Sequence, residues 1–124
     1  MREILFRAKR FGDKKWVYGD LLKYQDGNMI IHYYNCGMRQ AADVIPKTVC
    51  QYTGLTDKNG RKIFEGDILS HDGVGNIKVQ FKNSEFLVHG ITHNMFSTLL
   101  SSVYRGCEII GNIFDNPELI REKD

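Results

Sequence analysis

Two carboxylates separated by one glycine are the side chains in this sequence that come nearest to acid–base chemistry. They are Glu65 and Asp67 of the segment EGD. Residues two apart in an extended chain point to the same side, and paired carboxylates can divide the roles of acid and base in a hydrolase. A glycine between them is also typical of a bend, where an aspartate accepts backbone N–H hydrogen bonds. We favour the bend, so that a small hydrolase is the least favoured function.

Histidine and cysteine form no recognised metal or nucleophile motif. His89 and His93 have the spacing of helical metal ligands, but the glycine and β-branched residues between them disfavour a helix. The three cysteines, Cys36, Cys50 and Cys107, form no CxxC pair, and an odd number is typical of reduced thiols in the cytoplasm. The sequence predicts a protein that is not an enzyme and that binds no metal or cofactor.

Basic and aromatic residues are mixed near the start of the chain. Residues 1–24 carry seven basic and three acidic side chains, a net charge of +4, whereas residues from 68 onward have a net charge of −2. Such a mixture suits single-stranded nucleic acid, through phosphates and stacked bases, or a protein partner. Burial in the core is a third alternative, which we favour for the aromatic residues. The candidate contact residues are Arg7, Lys9, Lys14, Lys15, Trp16 and Tyr18.

The elements that must position these residues are predicted to be strands. Apolar and polar side chains alternate in residues 3–9 and 77–82, a period typical of half-buried strands. Asp26-Gly27 and Asn59-Gly60 favour the positive φ angles of tight turns. Residues 35–43 look irregular, and residues 83–104 give no clear pattern; a short helix and an irregular strand are alternatives within that segment.

A mainly β fold with little helix follows from these patterns. A bend, a glycine-rich turn and the strand at 77–82 are together common in small SH3-like barrels, which close a sheet on itself. The 124 residues fit one domain, or two interlocked lobes of about 1–52 and 53–124. No apolar run approaches the roughly 20 residues of a membrane span, so we expect a soluble cytoplasmic protein. The predicted structural turn residues are Asp57, Asn59, Gly60, Glu65, Gly66 and Asp67.

Four segments resemble the YopX family, small proteins of phages and prophages in Gram-positive bacteria. They are REILFRA, WVYGDL, VIPKTVCQYTGLTDKNGRKIFEGDIL and EIIGNIFDNPEL. Within the third, QYTGL, DKNG and EGDI follow one another at the family's spacing. The resemblance implies a mainly β fold with barrel-like parts in a cytoplasmic protein of phage origin. It implies no activity that can be assigned to particular residues.

Three hypotheses of function follow, in order of preference. The first is a non-enzymatic binding or assembly module that forms a homo-oligomer or binds another protein. The second is a nucleic-acid-binding accessory protein that uses the basic and aromatic residues near the start of the chain. The third is the small hydrolase with Glu65 and Asp67.

Overall fold

Antiparallel pairing dominates the secondary structure, as the alternating sequence patterns predict. A computed structural model describes residues 3–91 and 97–120, which fold mainly into two antiparallel sheets with little helix. The predicted fold class is thereby confirmed, whereas the SH3-like topology stays a prediction. The chain divides into two compact units: the first ends at Tyr52 and the second begins at Thr53. No helix in the described ranges is long and apolar enough to cross a membrane.

The first unit is built from successive hairpins. Its strands are hydrogen-bonded in the order β4-β3-β2-β1-β5, and β5 continues into the second unit. A short 3₁₀ turn, Pro46–Thr48, connects β4 to β5. The strands are β1 Phe6–Lys9, β2 Trp16–Lys23, β3 Met29–Asn35, β4 Met38–Val44 and β5 Cys50–Thr56.

The sheet of the first unit curls until the end of β4 meets the end of β1. The N–H of Phe11 donates to the carbonyl of Asp43 over 3.1 Å, and the N–H of Ile45 donates to the carbonyl of Lys9 over 2.9 Å. Between these two bonds Arg10 forms an antiparallel bridge with Val44. The curl encloses a small apolar core of the side chains of Ala8, Val17, Ile31, Ala42 and Val44.

The second unit has its own sheet and its own core. Strand order is β10-β9-β8-β7-β11, and β6 pairs with β5. The core side chains are Ile63, Leu69, Ile77, Val79, Val88, Leu100 and Cys107. The elements are β6 Lys62–Phe64, β7 Asp67–His71, β8 Gly75–Lys82, β9 Glu85–Gly90, β10 Ser97–Leu99, helix α1 Leu100–Val103, a 3₁₀ turn Tyr104–Gly106, β11 Cys107–Asn112 and a 3₁₀ turn Pro117–Ile120.

The prediction of irregular structure at residues 35–43 is wrong, because β4 occupies most of this segment. Cys36 and Gly37 form a two-residue turn with φ angles of 54° and 79°, which returns the chain directly along β3. Strand β4 lacks β-branched residues until its last position, Val44, so pairing with β3 rather than intrinsic propensity makes it a strand. Within residues 83–104, where a short helix and an irregular strand were the alternatives, strand β10 is followed by the short helix α1. His93, Met95 and Phe96 lie outside the described residues.

The turn at Gly60 provides a test of backbone strain. Gly60 has a φ of +81° and Gly12 does not have a positive φ, yet a Cβ at either position would meet no atom within 4 Å. We expect Gly60→Val to lower the free energy of unfolding by more than about 1 kcal/mol, since a left-handed backbone is costly for a β-branched residue. Gly12→Val is the matched control with a smaller effect. Equal urea midpoints for the two variants would contradict the turn assignment.

Candidate functional site

The acidic turn that begins at Asp57 is held by a buried carboxylate. Oδ1 of Asp57 accepts the N–H groups of Asn59 and Arg61, both over 2.9 Å, and Oδ2 accepts the N–H of Ile109 over 3.0 Å. Only 4% of Asp57 is exposed. The forward hydrogen bond and the positive φ of Gly60 agree with the sequence prediction. The bond to Ile109, 52 positions away, has no sequence signal, and it fixes the turn to strand β11.

Opposing effects act on the acidity of this carboxyl group. Burial alone would raise the pKa of Asp57, but the three N–H donors stabilise the carboxylate and outweigh it, so the pKa lies below its ordinary value. Asp57 is therefore ionised at neutral pH and serves the fold as a charged hydrogen-bond acceptor.

The carboxylates of the EGD segment also belong to a turn. Asp67 is 2% exposed, and its Oδ2 accepts the N–H of Phe64 over 2.8 Å. Gly66 between the two acids has a φ of 87° and donates its N–H to the carbonyl of Val79. Glu65 is half-buried beside it. This hydrogen bonding supports the structural interpretation of the segment.

Metal-binding side chains do not converge in the described part of the chain. Among residues 3–91 and 97–120, no three histidine, cysteine or acidic side chains are grouped closely enough to hold a metal ion. His89 lies on β9. His93, the other histidine of the pair with helical spacing, lies outside those ranges.

Four of the six candidate contact residues lie together on neighbouring strands. In the register of β1 and β2, Arg7 is opposite Tyr18 and Lys9 is opposite Trp16. The guanidinium carbon of Arg7 lies 4.6 Å from the centroid of the Trp16 ring, and Nζ of Lys9 lies 5.4 Å from it. Cations above the face of an indole are attracted by its quadrupole. Arg7, itself only 6% exposed, thus holds one side of Trp16 in place.

The expected burial of the aromatic residues in the core is wrong for those of β2, whereas Phe6 of β1 does pack against the core. Tyr18 is 48% exposed and Trp16 is half-buried. The reason is the alternation along β2: Val17 faces the core, so its neighbours on either side face away from it. Apolar side chains on both faces of this strand prevented the sequence alone from deciding which face is buried.

We call the sheet surface opposite this core the outer face. It continues across β3 and β4, because Tyr34 and its register partner Arg39 have the same orientation as Tyr18. Tyr34 is 76% exposed and Leu22 is 43% exposed. Tyr34 and Arg39 were not among the predicted contact residues, because the turn between them lies where irregular structure was predicted. The outer face consists of Arg7, Lys9, Trp16, Tyr18, Leu22, Tyr34 and Arg39.

Lys14 and Lys15 lie in the turn between β1 and β2 and not in a strand of the outer face. Nζ of Lys14 donates to the carbonyl of Phe11 over 3.0 Å, and the N–H of Lys15 donates to Oδ1 of Asp13 over 3.0 Å. An ion pair joins Arg10 to Asp13 across the same turn. Hydrogen bonding from Arg10 lowers the pKa of Asp13 to about 2. These two lysines are structural parts of the turn as well as positive charges.

The three cysteines are free thiols in different surroundings. Cys36 is exposed at the tip of the β3–β4 hairpin, whereas Cys50 and Cys107 are buried. Burial, reinforced by the nearby Asp57 carboxylate, raises the pKa of Cys107 to about 11. A thiol with such a pKa is a poor nucleophile at neutral pH.

Comparison with known proteins gives a family and a fold. The family model described as YopX protein matches residues 5–121. A crystal structure of protein EF1440 from Enterococcus faecalis is similar, with a TM-score of 0.63 and 24% sequence identity over 98% of this chain and 100% of the other. At this identity the likeness establishes the fold. No protein of curated function matches the chain.

The three hydrogen bonds to Asp57 predict a pH-dependent contribution to stability. We expect Asp57→Asn to lower the free energy of unfolding at neutral pH by about 1–3 kcal/mol, because a backbone donor loses its acceptor. The pKa is depressed on folding, so this contribution is present above the unfolded value of 3.8 and disappears as the pH falls through the folded value.

The control for this variant is Asp72→Asn, at an exposed position. Urea unfolding at several pH values should show that Asp57→Asn loses less stability than the parent between neutral and acidic pH, while Asp72→Asn follows the parent. Parallel curves for the parent and Asp57→Asn would contradict the role of this carboxylate.

Burial predicts which thiols react in the folded protein. With iodoacetamide at neutral pH we expect Cys36 to be alkylated rapidly, and Cys50 and Cys107 only after denaturation, which exposes all three. Peptide mass spectrometry assigns each modified position. Rapid labelling of Cys107 in the native protein would show that its surroundings are not as described.

Proposed function

The chain belongs to the YopX family, and we propose that it is a non-enzymatic binding or assembly module whose contact surface is the outer face of the first unit. The observation that carries this proposal is the exposure of Tyr18 and Tyr34, at 48% and 76%, on a regular sheet. Aromatic and arginine side chains are enriched at protein interfaces, where they supply much of the binding energy.

The fixed position of the Trp16 ring within the outer face supports a role in recognition. Trp16 is held by Arg7 and Lys9 through contacts on the ring. A ring that is already fixed loses little conformational entropy when a partner covers it. Tyr18 and Leu22 extend the apolar surface along the same strand. A protein partner would therefore meet a firm apolar centre with arginine and lysine around it.

The roles of the acidic residues support a function other than catalysis. The carboxylates of Asp57 and Asp67 both accept backbone N–H groups within turns. Acids used in this way are structural, and a general acid or base must instead reach a substrate. The family resemblance adds a cellular setting to the proposal: a phage- or prophage-encoded protein acting in the cytoplasm of a Gram-positive host.

Single-stranded nucleic acid is the second candidate partner. It is favoured by the stacking of Arg7 and Lys9 on Trp16 next to an exposed Tyr18, since aromatic rings and basic side chains together bind unpaired bases and phosphates. The acidic Asp20 and Asp43 on the same side of the sheet count against it, and we place it after a protein partner.

Site-specific photo-crosslinking tests the outer face directly. A photoreactive phenylalanine analogue replaces Tyr34 in the protein expressed in its own host, and Phe81, a 49% exposed aromatic residue of the second unit, is the control position. We expect one or a few discrete protein adducts from position 34 that are absent from position 81, because the contact surface is the outer face. Equal adducts at both positions, or none at position 34, would contradict the proposal.

A titration of the purified protein separates the two candidate partners. The chain has one tryptophan, so its fluorescence reports on Trp16 alone. We expect a mixed-sequence single-stranded oligonucleotide to leave this fluorescence unchanged. A quench that weakens with salt, with a log–log slope of about 0.7 for each phosphate contact, would instead assign the outer face to nucleic acid.

A further inference from the structure

Among the described residues, strand β4 is the edge of the sheet in the first unit, and only its last residues meet another strand on that side. Asn35 and Met38 flank the two-residue Cys36-Gly37 turn, so they form a hydrogen-bonded pair. Pairing then alternates along the hairpin, and the backbone groups of every second residue point away from β3. Those residues are Arg39, Ala41 and Asp43.

The contacts of the curled sheet confirm this alternation. The carbonyl of Asp43 accepts the N–H of Phe11, and the N–H of Ile45, two residues further on, donates to Lys9. Arg39 and Ala41 have the same orientation but make no such bond within the described residues, and both are exposed. A short stretch of strand edge with two outward donors and two outward acceptors therefore faces solvent.

We propose that this edge pairs with the same edge of a second copy of the chain, in an antiparallel register centred on Gln40. Pairing of identical surfaces about a two-fold axis makes two neighbouring strands antiparallel. In this register Arg39 is opposite Ala41 of the partner copy and Ala41 is opposite its Arg39. All four outward backbone groups on each copy are then satisfied.

The two neighbouring registers are less favourable than the register centred on Gln40. Centring the pair on Arg39 would place two guanidinium groups directly opposite each other, and like charges there are destabilising. Centring it on Ala41 would require the carbonyl of Asp43, which already accepts the N–H of Phe11. The register centred on Gln40 has neither defect, and it places the two Gln40 side chains face to face, where amides can bond.

A groove at the same edge provides a receptor for an exposed side chain. It has a volume of about 450 Å³, and its lining combines apolar with charged side chains: Phe11, Tyr33 and Ala42, and Arg10, Asp13 and Asp43. Met38 is 66% exposed, and the proposed register places it opposite Ala42 of the other copy. Methionine adapts well to such a cavity because its side chain is unbranched and polarisable. Each copy would supply one methionine and one groove.

Residues 38–42 have few of the features that prevent a strand edge from pairing with another chain. Residues 38–42 contain no proline, and their register with β3 is continuous, without a bulge. Arginine is the only charge, and it points to the outer face opposite an alanine. Strand edges that must stay unpaired usually carry prolines, bulges or charged side chains. The contact deepens the assembly role proposed above, but it uses the strand edge and not the outer face.

Disulfide trapping tests the register. Antiparallel residues in a non-hydrogen-bonded pair have Cα atoms about 4.5 Å apart, a separation that a disulfide bridges without strain. Gln40→Cys, in a background with Cys36→Ser, should form a covalent dimer rapidly under mild oxidation. Phe81→Cys in the same background is the control, since it is exposed and lies on β8, outside both the edge of β4 and the outer face.

Sedimentation equilibrium over a range of concentrations tests the contact without a crosslink. We expect a reversible dimer whose dissociation constant rises at least about tenfold in Met38→Glu, because a carboxylate would have to enter a groove that Asp13 and Asp43 line. Ala41→Pro should also dissociate it, since it removes an outward donor while sparing the bonds to β3. Thermal melting confirms that each variant is folded, and Met38→Glu alters only an exposed side chain.

The outcomes separate this proposal from the proposed function. A monomer at every concentration, or equal disulfide rates at positions 40 and 81, would overturn edge pairing. A dimer that persists in Met38→Glu would also overturn it, since the contact would then lie elsewhere. Discrete adducts from position 34 together with a strictly monomeric protein would retain the binding function and exclude this mode of assembly.

Discussion

The fold of the first unit depends on a glycine, Gly19, at a position where no side chain fits. A Cβ at Gly19 would overlap the carbonyl of His32 on the neighbouring strand, so only glycine permits the close approach at which β2 and β3 coil. That coil lets β4 return to β1, where Phe11 and Ile45 complete the hydrogen bonding. The enclosed core and the outer face are the two sides of this one curl. The groove beside Ala42 and the place where the free edge of β4 ends follow from it as well.

Local patterns explain which parts of the fold were predictable. Alternation in residues 77–82 became β8, and the forward hydrogen bond of Asp57 requires only its own turn. The strand at 38–44 was missed because its residues have weak β propensity and become a strand by pairing with β3. Intrinsic preference is local, whereas a partner strand can be supplied from anywhere in the chain.

The candidate site shows the same limit. Its basic and aromatic composition was visible in the sequence, and four of the six named residues do lie together. Which face of β2 is buried was not visible, because Val17 and Leu21 alternate with Trp16 and Tyr18, and both sets are apolar enough for a core. Tyr34 joins them because the register of β2 with β3 puts it on the same face as Tyr18. The sequence therefore predicted several residues of the outer face, and the structure shows which way this face points and how far it extends.

The bond between Asp57 and Ile109 has a consequence for the order of events during synthesis. The hydrogen bonds that join the end of β4 to the end of β1 involve residues up to Ile45, so the curl can form while the ribosome is still translating the second unit. The turn at Asp57 can also form early, but its carboxylate then has two donors and an open lone pair. The third donor is synthesised 52 positions after Asp57. The nascent chain must therefore keep this carboxylate hydrated until Ile109 is available, so the second unit is completed after the first.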